Sequence, residues 1–253
     1  MTDALPATPA EFAAGFRALL DETAAAGRTV SFWWRDDDAV EPTPALERLI
    51  GIAERHGVPL ALAVIPAGAT EALGARVGRA RNTFAIQHGW SHTNHQAAGS
   101  RAAELGDARP ADAVLAELAA GRERLEALFP RRFLPVLTPP WNRIAPAVAE
   151  RRHEAGLPGL SAFGALDGAP ARIATHIDPI AWRIDRGYIG DAKALAIARE
   201  QIAARRDSAA PIGLLTHHLA HDDAVWAFVE AFVAVAASHP AARWPDLPAL
   251  FGA

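Results

Sequence analysis

The sequence has no cysteine, which excludes disulfides, thiolate nucleophiles and cysteine-based zinc or iron–sulfur centres. Lysine is nearly absent: of 25 basic residues only Lys193 is a lysine, a bias that reads as the mark of a GC-rich genome. Against them stand 29 acidic residues, for a formal net charge of −4. There is thus no basic footprint for a nucleic-acid backbone. No apolar run approaches the roughly 20 residues that span a bilayer. The first residues, Met1-Thr-Asp-Ala-Leu-Pro, lack the basic and apolar regions of a secretory signal. The expectation is a soluble cytoplasmic protein that binds neither nucleic acid nor membrane. No G-x-G-x-x-G follows the first apolar run, which weighs against a dinucleotide site. Among 253 residues, 51% are hydrophobic and 21% charged, enough for a sizeable core and incompatible with global disorder.

The chain alternates amphipathic segments with short apolar runs. Helical patterns cover residues 9–26, 44–56, 70–80, 110–128, 145–155, 190–205 and 222 to about 237. Gly27 and Gly57 stand where the first two should stop, and Pro110 suits a first turn. Strand-like runs cover 29–35, 60–65, 83–87, 132–137 and 212–216, with weaker ones at 160–163 and 172–175. The tail, 239–253, carries three prolines and is expected to pack as an extended cap on the N-terminal helical segment, 1–28. No linker divides the chain, so a single domain over 1–253 is expected. Strand–helix alternation implies an α/β fold with parallel strands, either an open sheet or a barrel.

Polar residues gather where strands should end. The first run ends in Asp36-Asp37-Asp38 and the third in His88-Gly-Trp-Ser-His92-Thr-Asn-His95. The fourth ends in Thr138-Pro-Pro-Trp141-Asn142-Arg143, a later one in His176-Ile-Asp178, and the last in His217-His218, with His221 and Asp222 beyond. In a parallel barrel all strand C-termini share one face, and that face carries the active site. A helix cap needs one Asp, whereas three adjacent carboxylates repel unless a cation offsets them. His88 and His92 at i, i+4 would share one side of a helical turn. Two imidazoles and a carboxylate suit zinc or a similar ion with one position open for water, whose pKa falls toward about 7. A second carboxylate can take the water proton, and a histidine opposite can protonate the leaving group. Trp33, Trp34, Trp90, Trp141 and Trp182 fall near the expected mouth, as tryptophan platforms for sugar rings do. His56, His153 and His239 read as surface residues.

Taken together these segments resemble the polysaccharide deacetylase family, carbohydrate esterase family 4, as a divergent member. The resemblance spans about residues 30–218 and implies a distorted (β/α)7 TIM-like barrel. The family's Thr-Phe-Asp-Asp-Gly is matched by Asp37-Asp38-Ala39, which implies Asp37 as base and Asp38 as metal ligand, with Asp36-Asp37 as the alternative register. His-(Ser/Thr)-x-x-His is matched by His88-Gly-Trp-Ser-His92, implying two further ligands. Arg-Pro-Pro-Tyr becomes Thr138-Pro-Pro-Trp141, and Leu-x-His becomes Leu215-Thr-His217, implying His217 as the acid. Trp90, Trp141, Asn142 and His176 are the expected substrate contacts. The implied cofactor is one divalent ion, zinc first and cobalt or nickel next. Two departures stand out. Thr138 replaces the arginine that orients the base, leaving Arg35 or Arg143 to substitute. The Asp-x-x-Asp-Trp that supports the acid is missing, leaving Asp178 or Asp222. The implied activity is removal of acetyl from an N-acetylated saccharide. The alternatives are an inactive carbohydrate-binding homologue and a metal hydrolase of non-sugar amides.

Overall fold

The computed structural model describes residues 10–164 and 172–252. Among these residues the strands are β1 (Val30–Ala39), β2 (Leu60–Val64), β3 (Thr83–His88), β4 (Phe133–Thr138), β5 (Gly159–Leu160), β6 (Ile212–Thr216) and β7 (Ala242–Arg243). The α-helices among them are α1 (Ala10–Ala25), α2 (Pro44–His56), α3 (Glu71–Arg79), α4 (Ala111–Leu128), α5 (Pro146–Arg151), α6 (Asp191–Ala203), α7 (Asp223–Ser238) and α8 (Leu247–Phe251). All strand pairings are parallel, in the order β5-β4-β3-β2-β1-β6, with β7 pairing the start of β1. The sheet curls into a half-barrel, an α/β fold of the distorted (β/α)7 type. The weak runs expected at 160–163 and 172–175 form mostly isolated pairs, Leu160 with Arg172 and Phe163 with Thr175, and Ile177 beyond them pairs singly with Leu214. Residues 172–177 reach from the β5 side to β6, and a segment shared between two edges pairs regularly with neither.

Local chemistry sets the element ends. The Thr43 hydroxyl accepts from the Leu46 amide at 3.0 Å, Pro44 opens α2, and Gly57 closes it at φ +66°. On β1, alternation sends Phe32 and Trp34 to the helices and Trp33 into the barrel. Outside the sheet, α1 and α7 interleave aromatic rings. Phe16 stacks on Phe232 at 4.8 Å, and Phe32 meets Phe232 edge-on at 5.5 Å. Each such pair contributes about 0.5–1.5 kcal/mol beyond its buried area.

The tail departs from the expectation of an extended cap. It forms β7 and then α8, whose Leu247 and Phe251 plug the barrel interior against Trp33, Ala61, Ile86 and Val136. A half-barrel leaves this inner apolar surface open, so burying it favours a helical turn over an extended strap. His239, expected at the surface, is buried, and its Nε2 lies 3.0 Å from Asp21 Oδ1 of α1.

Candidate active site

Three adjacent aspartates at the end of β1 face three different environments. Asp36 opposes Leu62 and Ala39 opposes Val64, so three steps of β1 run against two of β2. The bulge, with Asp38 at φ +74°, breaks the alternation that would send Asp37 and Asp38 to opposite faces. Both line the cavity at the strand ends. Asp36, fully buried, points the other way. Its carboxylate accepts from the Thr216 hydroxyl at 2.7 Å and the His218 amide at 3.0 Å, and pairs with His218 Nδ1 at 2.5 Å. Burial alone would raise the Asp36 carboxyl, but His218 outweighs it and holds it below the usual range. Asp36 and His218 thus form a buried charge pair beneath the site.

Asp38, His88 and His92 come together at the floor, their ligand atoms all within 4.8 Å of one another. His88 ends β3, and its Nδ1 lies 3.0 Å from the Thr138 carbonyl, so Nδ1 carries the proton and donates. Its Nε2 then faces Asp38 Oδ1 at 3.1 Å, and His92 Nε2 faces the same oxygen at 3.4 Å. Lone pairs aimed at one buried oxygen repel unless positive charge lies between them, and that oxygen has no hydrogen-bond partner. The same demand appears in the titration directions. Burial opposes charge on both groups, yet Asp38 is held below the usual carboxylate range by His88, and His88 is raised by Asp37 and Asp38. A divalent cation fits this donor set.

No helical turn brings His88 and His92 together. A loop does, with Gly89 at φ +59° and His92 at φ +55°. A Cβ on Gly89 would lie 1.9 Å from Glu104 Oε2 and 2.7 Å from Pro140 Cγ, which explains glycine at this point. Glu104, buried and not anticipated from the sequence, holds the loop by accepting from the amides of Ser91 at 2.7 Å and Trp90 at 3.1 Å. His95 lies outside the cluster, its amide bonded to the Ala103 carbonyl.

Of the two arginines expected as substitutes for the one missing at Thr138, Arg35 is the one that reaches Asp37. It points into the barrel two residues before Asp37 and binds it through Nε at 2.8 Å and Nη2 at 3.0 Å. Such a two-pronged bond fixes the plane of a carboxylate. Arg35 is held in turn by Ser161 Oγ at 2.8 Å and Asn142 Oδ1 at 2.9 Å. Arg143 instead donates to the Ala102 carbonyl. His217 Nε2 lies 3.9 Å from Asp37 Oδ2, and its ring meets Trp182 edge-on at 4.7 Å. Trp182 Nε1 donates to Asp178 Oδ2 at 2.8 Å, so a spaced Asp178–Trp182 pair braces His217. Burial raises the Asp178 carboxyl, partly offset by His217. Asp222 caps α7 through the Val225 amide and takes no part here.

The cavity has a volume of about 480 Å³, within the range usual for small-ligand sites. Trp141, Asn142, Trp182 and Phe163 line it. Of the expected substrate contacts, Asn142 already spends its carbonyl oxygen on Arg35, and Trp90 and His176 lie outside the lining. His176 packs against β6 instead, where the Gly213 amide and Arg205 both face its ring nitrogens, at 3.0 and 2.8 Å. Burial and Arg205 hold its pKa at about 4. Trp33 and Trp34 are both buried, one on each covered face of β1. Backbone strain concentrates at the site: of the six non-glycine residues with positive φ among the described residues, Asp38, His92, Trp141, Asn142 and Arg186 all line the cavity.

The architecture is that of the polysaccharide deacetylases and family 4 carbohydrate esterases. One solved likeness is a Mycobacterium smegmatis protein assigned as a polysaccharide deacetylase, with a TM-score of 0.66 at 17% identity over 89% of this chain and 90% of that one. A family 4 carbohydrate esterase from Streptomyces lividans, in complex with acetate, gives 0.54 at 11% identity, covering 84% and 90%. A family 4 pseudoenzyme from Bacillus anthracis gives 0.52 at 14% identity, covering 82% and 59%. At such identities the likeness is one of fold. Neither a family model nor a curated protein sequence matches the chain. No helix among the described residues is long and apolar enough to cross a membrane.

Proposed function

We propose that the protein is a metal-dependent deacetylase that removes acetyl from an N-acetylated saccharide, acting as one domain in the cytoplasm. The observation that carries this reading is the placement of Asp37, locked by Arg35, beside the Asp38–His88–His92 cluster and 3.9 Å from His217. A divalent ion, zinc by preference with cobalt or nickel able to replace it, would be held by Asp38, His88 and His92, and would polarise the amide carbonyl and acidify water. Asp37 takes the water proton, because the two-pronged bond from Arg35 fixes its carboxylate in plane beside the cluster. His217 delivers a proton to the departing amine. Trp141, Trp182 and Phe163 offer faces for a sugar ring and exclude water from the reacting bond. In the alternative reading, a carbohydrate-binding homologue without turnover, the missing arginine would be the cause; the bond from Arg35 to Asp37 supports the enzyme instead.

The test combines metal analysis with turnover on a panel of N-acetyl sugars. Stoichiometric zinc, cobalt or nickel after reconstitution, with metal-dependent acetate release, supports the reading. Absence of stoichiometric metal removes it. His217→Ala is expected to lower amide turnover roughly 10²- to 10⁴-fold. Activated esters, whose leaving groups need no proton, should lose less. Equal loss on both, with a lowered melting temperature, would reduce His217 to a structural histidine.

A further inference from the structure

We infer that the acetylated saccharide bears an anionic group, a carboxylate or a phosphate ester, held by the arginines at the cavity mouth. This rests on the deacetylase reading and names its substrate class. Arg143, Arg183 and Arg186 line the cavity from two sides. Arg143 follows the β4 loop, whereas Arg183 and Arg186 belong to the turn between Ala181 and Gly187. None of the three forms an ion pair with a carboxylate among the described residues. Arg143 donates through Nη1 to the Ala102 carbonyl, and its Nε is buried without a partner. Arg186 lies 5.8 Å over the Trp182 ring and sits at φ +62°. Arg101 adds a fourth cation beside Arg143, in an adjoining depression where Asp107 bonds neither. Asp185 spends an oxygen on the Gly187 amide.

The charge of the cavity follows from its lining. Its carboxylates are Asp37, Asp38 and Asp178. Asp37 is paired with Arg35, Asp38 is a donor of the metal cluster, and Asp178 is engaged by the Trp182 indole and the Ile180 amide, so none of them faces the three arginines. Among the described residues no carboxylate pairs with these three guanidiniums, in a chain whose net charge is −4. Arg143 feels its neighbours: burial first, then the charges of Arg101 and Arg183, lowers its pKa. Gathering like charges at a cavity costs stability unless a ligand anion offsets them. Guanidinium forks match the planar carboxylate and the phosphate alike. The aromatic faces of Trp141, Trp182 and Phe163 would take the sugar ring, leaving its charged substituent toward the arginines.

The experiment compares N-acetylglucosamine, N-acetylglucosaminuronic acid and N-acetylglucosamine 6-phosphate. Turnover is measured on the zinc-loaded protein, and binding by calorimetry on the zinc-loaded Asp37→Asn variant. The expected result is a preference of tenfold or more, in kcat/KM and in Kd, for at least one anionic sugar over the neutral one. It should shrink as salt rises. Whichever anionic sugar is favoured identifies a carboxylate or a phosphate as the recognised group. Arg183→Gln/Arg186→Gln, both at exposed positions, should cut the preference by roughly tenfold while zinc stoichiometry is retained. Arg143→Gln should do the same, and the exposed pair keeps the test sound if that variant misfolds. Acetate release without an anionic preference overturns this inference and leaves the deacetylase reading standing. An anionic preference in binding without turnover of any sugar overturns the deacetylase reading and leaves the charge preference standing. No preference in either measurement, or one that survives the arginine changes, overturns the inference.

Discussion

Asp36, Asp37 and Asp38 are adjacent and chemically identical, and the backbone alone gives them different work. Asp38 meets two imidazoles, Asp37 meets a guanidinium, and Asp36 is buried against His218. Asp37→Asn is therefore expected to lower turnover by about 10²-fold or more while metal stays bound. Asp38→Asn should lose the metal. Elemental analysis beside an activity assay separates the two, and the same pair of results from Asp36→Asn and Asp37→Asn would move the register by one residue. Asp36 has its own expectation. Removing one member of a buried charge pair costs about 3–5 kcal/mol. Burial opposes charge on His218, but Asp36 raises its pKa above the usual value. That contribution is complete below the unfolded value near 6.5. It is lost as pH rises through the raised folded value. Urea unfolding across pH should show this alkaline loss in the unaltered protein and not in Asp36→Asn. A variant that keeps the full alkaline loss would break the assignment.

At the scale of elements, the bulge on β1 and the loop after β3 do the positioning. The spacing of His88 and His92 looks helical in the sequence, but the structure joins them through Gly89 and the Glu104 clamp. Gly89→Ala places a methyl group against Glu104 and Pro140 at a φ that L-residues avoid. It should reduce metal affinity by about 10- to 100-fold, as loss of an outer-shell support does. Competition with a chromogenic chelator measures it, and unchanged affinity would show that the loop is not what aims His92. Strands and long helices were legible because apolar periodicity and caps are local. The spans 44–56 and 212–216 expected from sequence coincide with α2 and β6. The extended tail was misread, since what folds Leu247–Phe251 into α8 is a barrel interior that no local pattern describes. The weak runs near 160 and 172 were split for a similar reason, because their partners lie on two different strands.

For the whole molecule, the cluster joins the ends of β1 and β3 and the loop beyond, so an ion there ties distant parts of the chain together. A ligand that binds only the folded state at about 100 times its Kd contributes about 2.7 kcal/mol. In a chain of this size that amounts to roughly 5–10 °C in Tm. Chelation should lower the melting temperature by about this amount in the unaltered protein, and leave Asp38→Asn unmoved. An equal shift in both would place the stabilising ion elsewhere. The candidate site was legible as residue types: carboxylates, imidazoles and tryptophans at strand ends, in an order set by the sequence. The sequence by itself determined the α/β alternation, the absence of thiol chemistry and the supply of donors, because these depend on composition and on neighbours a few positions apart. Only the tertiary structure decided which aspartate faces which partner and that Arg35 supports Asp37. It alone placed Trp141 and Trp182 on the cavity, with Trp33, Trp34, Trp90 and His176 elsewhere. Each of those outcomes turns on a side chain's direction, and one extra residue in a strand or one left-handed φ reverses direction without altering composition or spacing.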